Sequence, residues 1–165
     1  MRPKTAKVCH RKGDVSMTDS VRSRNMAAIR GKDTVPELRV RRFLYAQGLR
    51  YRLHAGGLPG KPDLVFRSRY TVVFVHGCFW HGCPHCRTGR RTVKSNAGYW
   101  TPKLERNKAR DTRVRAELKG LGWRVFVIWE CQTKDQAALG RLVPELRDQP
   151  SSGSSPCTAS GPGPE

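Results

Sequence analysis

The chain has 165 residues, and its 32 Lys and Arg against 13 Asp and Glu give a net charge of +19. That length allows one domain with a real core, and the charge disfavours compaction unless an anionic partner is at hand. Nucleic acid fits that partner, because each phosphate contact by Lys or Arg releases counterions; a membrane does not, since the sequence has no long apolar run and no basic amphipathic helix with an aromatic face.

Residues 1–17 read as a flexible basic arm. They lack the apolar stretch and cleavage site of a secretory signal, which points to the cytoplasm. There, six cysteines argue for metal or redox chemistry rather than a disulfide framework. A short helix is predicted over Ser20–Arg30, with Met26 and Ile29 on one side. Thr34-Val35-Pro36-Glu37 has the spacing of a capping box, and the helix it opens should run to Gln47 and stop at Gly48. Strands are predicted at Leu64–Phe66 and Thr71–Val75, joined by Arg67-Ser68-Arg69. A second long helix is expected from Pro102 to Lys119, ended by Gly120. Trp123–Trp129 reads as an apolar strand interrupted by Arg124. Residues 149–165 are Ser/Gly/Pro-rich and read as a disordered tail. Cys9 and Cys157 fall in the two tails and are expected to be free thiols. The middle, residues 18–148, is then one α/β domain, a mixed sheet with helices on its faces.

Three carboxylates stand where apolar residues are expected. Leu104, Asn107, Asp111, Val114, Leu118 and Leu121 share one face of the second helix. Burying an unpaired carboxylate costs roughly several kcal/mol, so Asp111 either pairs with a structural Arg or lines an active site. Glu37 shares a face with Val40 and Leu44; it can close the capping box and still point inward. Asp63 opens a strand after Pro62. It is either a turn residue or a carboxylate presented to Mg²⁺, which prefers oxygen ligands and serves phosphodiester hydrolysis.

Residues 76–86, His-Gly-Cys-Phe-Trp-His-Gly-Cys-Pro-His-Cys, concentrate the chemistry. Cys78, Cys83 and Cys86, joined by Cys131 after the last strand, suit a closed tetrahedral zinc site of structural type, with His85 as an alternative to Cys86. Cys83-Pro84-His85-Cys86 also matches a redox dithiol, but that motif should open a helix, and Arg87-Thr88-Gly89-Arg90-Arg91 is a poor helix former. If cysteines satisfy the zinc, His76 and His81 are left for a water and a phosphate. Phe79, Trp80 and Trp100 are either core residues or wedges that unstack a duplex, with Met26 and Ile29 acting from the opposite groove. Arg87, Arg90, Arg91 and Lys94 would lie along phosphates.

These residues resemble one family, the very-short-patch-repair DNA mismatch endonucleases. The likeness runs over about Thr18–Lys134. It includes Arg22-Ser23-Arg24-Asn25-Met26, Glu37, Leu58-Pro59-Gly60-Lys61-Pro62-Asp63, His76-Gly77-Cys78-Phe79-Trp80-His81, Tyr99-Trp100, Asn107 with Asp111, and Gly122-Trp123-Arg124-Val125 through Trp129-Glu130-Cys131. The resemblance implies a restriction-endonuclease-like α/β fold with structural zinc. It implies Mg²⁺-dependent nicking of one strand of double-stranded DNA at a T·G mismatch left by deamination of 5-methylcytosine. Asp63 and the Val75 main-chain carbonyl would bind Mg²⁺, His81 would be the general base assisted by Asp111, and His76 and Glu37 would complete the active site. Arg24, Met26, Ile29, Phe79, Trp80, Trp100, Lys103 and Asn107 are the expected DNA contacts. A cytoplasmic, nucleoid-associated monomer followed by downstream repair proteins is expected.

The chain departs from the family pattern in places. Val75 stands where a threonine appears, a change that only a main-chain metal contact survives. Cys83 replaces a histidine, and the longer spacing to Cys86 leaves His85 or Cys86 as the third ligand. The familiar acidic–lysine pair of the second strand is replaced by Val73-Phe74-Val75-His76, which favours histidine chemistry. Two other readings fit the composition: a restriction-type endonuclease cutting both strands of matched DNA, and a zinc-stabilised, non-catalytic DNA-binding module.

Overall fold

The structure, a computed structural model, describes residues 32–93 and 96–148. The arm, the Ser20–Arg30 helix, Arg24, Met26, Ile29, Lys94 and the tail, with Cys9 and Cys157, lie outside the described residues. Four strands form one sheet in the order β1 (Arg52–Leu53), β2 (Leu64–Phe66), β3 (Thr71–His76) and β4 (Arg124–Trp129). The first three are antiparallel, and β4 runs parallel to β3 with His76 opposite Trp129. The sheet is thus mixed, as expected.

Helices cover both faces. Val40 and Leu44 of α1 (Val35–Ala46) pack with Leu64, Phe66, Val73 and Ile128. Leu139 of α4 (Gln136–Gly140) and Val143 and Leu146 of α5 (Leu142–Arg147) close the same layer. On the opposite face, Val114 and Leu118 of the long α3 (Ala97–Gly120) cover Val65, Val72 and Phe74. With apolar layers on both sides, β3 buries both of its faces, which is why it reads as an unbroken apolar run. The period-two alternation puts Val73 and Val75 toward α1, and Phe74 and His76 toward α3.

The helix ends correct the sequence reading. α3 starts at Ala97, five residues before the expected Pro102, which lies inside it. The added turn carries Tyr99 and Trp100, whose rings pack on each other, and Trp100 packs on Phe79 and Trp80, so tertiary contact outweighs the proline. The stop is Gly122 (φ 78°), not Gly120. The Gly122 N–H donates to Lys119 O and the Trp123 N–H to Leu118 O, each at 3.0 Å or less, the paired bonds of a Schellman end. Leu121, placed on the buried stripe, is 50% exposed there. Arg124, which seemed to interrupt β4, caps α5: its Nη1 and Nη2 donate to the carbonyls of Asp148 and Glu145 at 2.7 and 2.6 Å.

One close approach ties the sheet to α3. Gly60 has φ 72°, and a Cβ there would stand 2.3 Å from Val114 Cγ1. Gly60→Ala therefore combines backbone strain with overpacking, and a loss of about 1–3 kcal/mol is expected in denaturant unfolding.

Candidate active site and metal centre

The Gly60-Lys61-Pro62 turn delivers Asp63 to the head of β2. Lys61 is left-handed (φ 52°) and Pro62 is buried, so the chain has little freedom to turn the carboxylate away. The Val75 N–H donates to Asp63 Oδ2 at 2.7 Å. Burial raises the Asp63 pKa to about 6; the Val75 bond opposes the rise and the nearby Glu37 charge adds to it.

At the end of β3, His76 is buried beneath His81. Their rings stack at 4.1 Å with 15° between planes, and Trp129 meets His76 edge-on at 5.4 Å. His81 closes the one-turn helix α2 (Cys78–His81), which the sequence reading did not foresee. The Cys78 N–H donates to Glu130 Oε2 at 3.2 Å, satisfying one of its orphan donors. α3 then grips α2 at two points one turn apart. Asn107 Nδ2 donates to the Trp80 carbonyl at 3.2 Å, and His81 Nδ1 meets Asp111 Oδ2 at 2.5 Å. The structural-Arg reading of Asp111 fails: the near guanidinium, Arg110, is 3.9 Å away and exposed. Asp111→Asn should slow DNA cleavage by roughly 10²–10⁴-fold while leaving duplex affinity nearly unchanged if His81 is the general base expected from the sequence, since Asp111 then orients the base rather than touching DNA; single-turnover rates beside equilibrium binding check this.

Below α2, the Sγ atoms of Cys78, Cys83, Cys86 and Cys131 all lie within 4.8 Å of one another. Cys131 arrives because β3 and β4 run parallel and end side by side. Sulfurs held around an ion at about 2.3 Å form a tetrahedron with edges of about 3.8 Å, the separation of Cys83 and Cys131 here, 3.8 Å. Backbone N–H groups of His85, Gly89 and Cys131 point at the sulfurs of Cys83, Cys86 and Cys78 at 3.3–3.4 Å. The Gly89 bond lowers the Cys86 thiol to about 7, while burial raises those of Cys78 and Cys131. This donor set can bind a metal such as zinc. Cys86 belongs to it, and exposed His85 contributes its backbone rather than its ring. No helix opens over residues 83–93, so the dithiol reading loses its premise.

Beside α2 lies an aromatic cluster. Phe79, Trp80 and Trp100 contact one another at centroid distances of 5.2–6.3 Å, and all three are half-buried. Tyr99, missing from the expected DNA contacts, is 53% exposed against Trp100. Lys103 Nζ sits 5.2–5.7 Å from the centroids of Trp80, Tyr99 and Trp100. Arg87, Arg90 and Arg91 are exposed.

On the α1 side, Glu37 is buried and its Oε2 accepts from Arg41 Nη2 at 2.9 Å. The same Nη2 lies 3.2 Å from His54 Nε2. Both Arg41 and His54 act electrostatically on Asp63. The sequence reading missed this pair; the i,i+4 spacing of Glu37 and Arg41 was the available signal.

A type II nicking enzyme of Xanthomonas oryzae pv. oryzae, V.XorIIP, is 53% identical over 123 residues, covering 74% of this chain and 87% of its own length. This chain belongs to the Vsr endonuclease family. The family model described as DNA mismatch endonuclease Vsr matches residues 14–88, which include Glu37, Asp63, His76, His81 and three of the clustered cysteines. A Neisseria meningitidis nicking enzyme, V.NmeAIP, is 44% identical over 135 residues, with 79% of this chain and 95% of that protein covered. The DNA mismatch endonuclease Vsr of Escherichia coli K12 is 39% identical over 120 residues, covering 73% and 76%. This Vsr-family protein is a DNA endonuclease. Among its described residues no helix is long and apolar enough to cross a membrane.

Proposed function

We propose that this endonuclease nicks one strand of double-stranded DNA at a T·G mismatch, with Mg²⁺ as cofactor, and so starts short-patch repair. The observation that carries the reading is the His81–Asp111 pair stacked on His76, at the end of the strand whose Val75 N–H binds Asp63. An ionised carboxylate only accepts, so Asp111 fixes the proton on His81 Nδ1 and leaves the Nε2 lone pair to take a proton from the attacking water. Asp111 then stabilises the imidazolium. Burial and the adjoining His81 lower the His76 pKa to about 4, so His76 is neutral in the working range. It offers an N–H donor to the phosphate.

Asp63 and the Val75 carbonyl are the residues that would hold Mg²⁺. In an extended strand the N–H and C=O of one residue point to the same side, so the Val75 carbonyl emerges beside Asp63. A carboxylate with its proton affinity raised by burial and by Glu37 suits a divalent cation. When bound, Mg²⁺ supplies positive charge to the scissile phosphate. The four cysteines leave no open position for water and suit a structural zinc in a restriction-endonuclease-like fold. Phe79, Trp80 and Trp100 act as the wedge, with Lys103 and Asn107 beside it, and Arg24, Met26 and Ile29 are further DNA contacts of this reading. The enzyme is a cytoplasmic, nucleoid-associated monomer that passes its nick to downstream repair proteins.

One assay tests the reading. The protein is incubated with Mg²⁺ and matched or T·G duplexes, and each strand is resolved. A nick confined to the T strand of the mismatched duplex is expected. Cutting of both strands in matched DNA would point to a restriction-type enzyme. Binding without cleavage, equal for wild type and Asp63→Ala, would leave only the non-catalytic module.

A further inference from the structure

The aromatic cluster is the start of a longer feature of α3. Tyr99, Lys103, Arg106 and Arg110 follow one another at spacings of four, three and four residues, so they line one flank of the helix. At the first end the Tyr99 hydroxyl accepts from Lys103 Nζ at 3.4 Å, and the same Nζ lies over the Trp80 and Trp100 rings. Past the other end, Arg113 Nε lies 3.5 Å from a Glu117 carboxylate oxygen. No acid stands on the flank between them. Glu105 belongs to the other flank, where it accepts from Lys108 at 3.0 Å, and Asp111 is turned to His81. Arg106 and Arg110 are exposed, and among the described residues neither donates a hydrogen bond. Arg106 has no ion pair there, and Arg110 Nη2 is 3.9 Å from Asp111 Oδ1, beyond hydrogen-bond reach. Three cations at i,i+3 and i,i+4 repel one another, which weakens the helix until an anion answers them.

We propose that Arg106 and Arg110 form a phosphate track: each guanidinium binds a backbone phosphate of the duplex that the aromatic cluster enters. The inference rests on the endonuclease reading with Phe79, Trp80 and Trp100 as its wedge. Residues four apart on a helix are separated by a rise of about 6 Å, so the two forks meet separate phosphates. Each fork presents paired N–H groups that match two phosphate oxygens. The phosphates relieve the repulsion along the stripe, and the counterions they release favour the bound state. Wedge and track share one helix through Trp100 and Lys103, so placing the bases places the backbone beside them. Phosphates carry no sequence; the track therefore supplies affinity and register and leaves the choice of site to the wedge.

The salt dependence of duplex binding tests the track, read by fluorescence anisotropy with Ca²⁺ in place of Mg²⁺. Each neutralised phosphate adds about 0.9 to the slope of log affinity against log salt. Arg106→Gln with Arg110→Gln should lower that slope by about two and weaken binding about tenfold per arginine at low salt. Matched and T·G duplexes should lose alike. Lysine at both positions should restore the slope. Lys119→Gln removes a charge from the opposite flank, nine residues beyond Arg110, and should leave the slope as it is. Glutamine and arginine have similar helix propensity, so unchanged circular dichroism confirms that the variants fold; should the pair not fold together, each single variant should lower the slope by about one. A pair variant with the wild-type slope overturns the proposal, as does a loss confined to the T·G duplex or an equal fall in Lys119→Gln. A wild type that nicks no T·G duplex sinks the functional reading instead, while the slopes still decide the phosphate contacts.

Discussion

Replacing Asp63 by Asn should cripple nicking and raise the melting temperature at the same time. The carboxyl titrates at about 6 in the folded chain against an ordinary 3.8. Between those values the folded protein holds a proton that the unfolded chain has lost, so stability falls as pH rises through that window. Above about pH 6 the full cost is present, about 3 kcal/mol. Asparagine carries no charge, and its Oδ1 can still accept the Val75 N–H. At pH 8 the variant should melt roughly 5–10 °C higher than the wild type, and the gain should vanish near pH 4. Calorimetry at the two pH values is the check, and a variant less stable at pH 8 would contradict the account. On the proposed role of Asp63 as a metal ligand, its loss removes several kcal/mol of transition-state stabilisation, so nicking should fall by about 10³-fold or more. In the wild type, the Mg²⁺ concentration for half-maximal nicking should rise about tenfold per pH unit below pH 6, as protons compete for Asp63.

Stripping metal from the four-cysteine cluster should unfold the protein if, as proposed, the cluster holds a structural zinc. Structural zinc contributes about 10 kcal/mol or more, comparable with the whole stability of a domain, about 5–15 kcal/mol. Here the cluster joins the end of β3, through Cys78, to the end of β4, through Cys131. Without the ion, four sulfurs crowd within 4.8 Å, two of them buried. Chelation should therefore collapse the circular dichroism signal in step with zinc release, and Cys83→Ala should fail to accumulate as folded protein. A folded, inactive, metal-free protein would show that the cluster is not structural.

Sequence reasoning found the parts of the fold that carry dense local signals. The apolar run of β3, the hairpin turn after Phe66 and the glycine after α1 each appear where the pattern placed them. β1 escaped because two exposed residues on an edge leave no periodicity. α4 and α5 escaped through oversight of a readable signal. Asp135 caps the Ala137 N–H at 2.9 Å, and Leu139, Val143 and Leu146 recur at helical spacing. In the site, Asp63, His76, His81 and Asp111 stood out as polar residues in apolar surroundings. Arg41, His54 and Glu130 did not, because each draws its meaning from a partner brought close only by the fold.

His81 sits on a segment pinned at Cys78 and again at Cys83, with Asn107 and Asp111 gripping it from the side. Chain length between those pins is therefore not adjustable. One residue inserted or deleted between His76 and Cys83 must displace either a sulfur or an imidazole. After Cys86, the described residues 87–93 are mostly exposed. The Gly89 N–H is still held on Cys86 Sγ, so variation in loop length across relatives should begin past Gly89 rather than between His76 and Cys83.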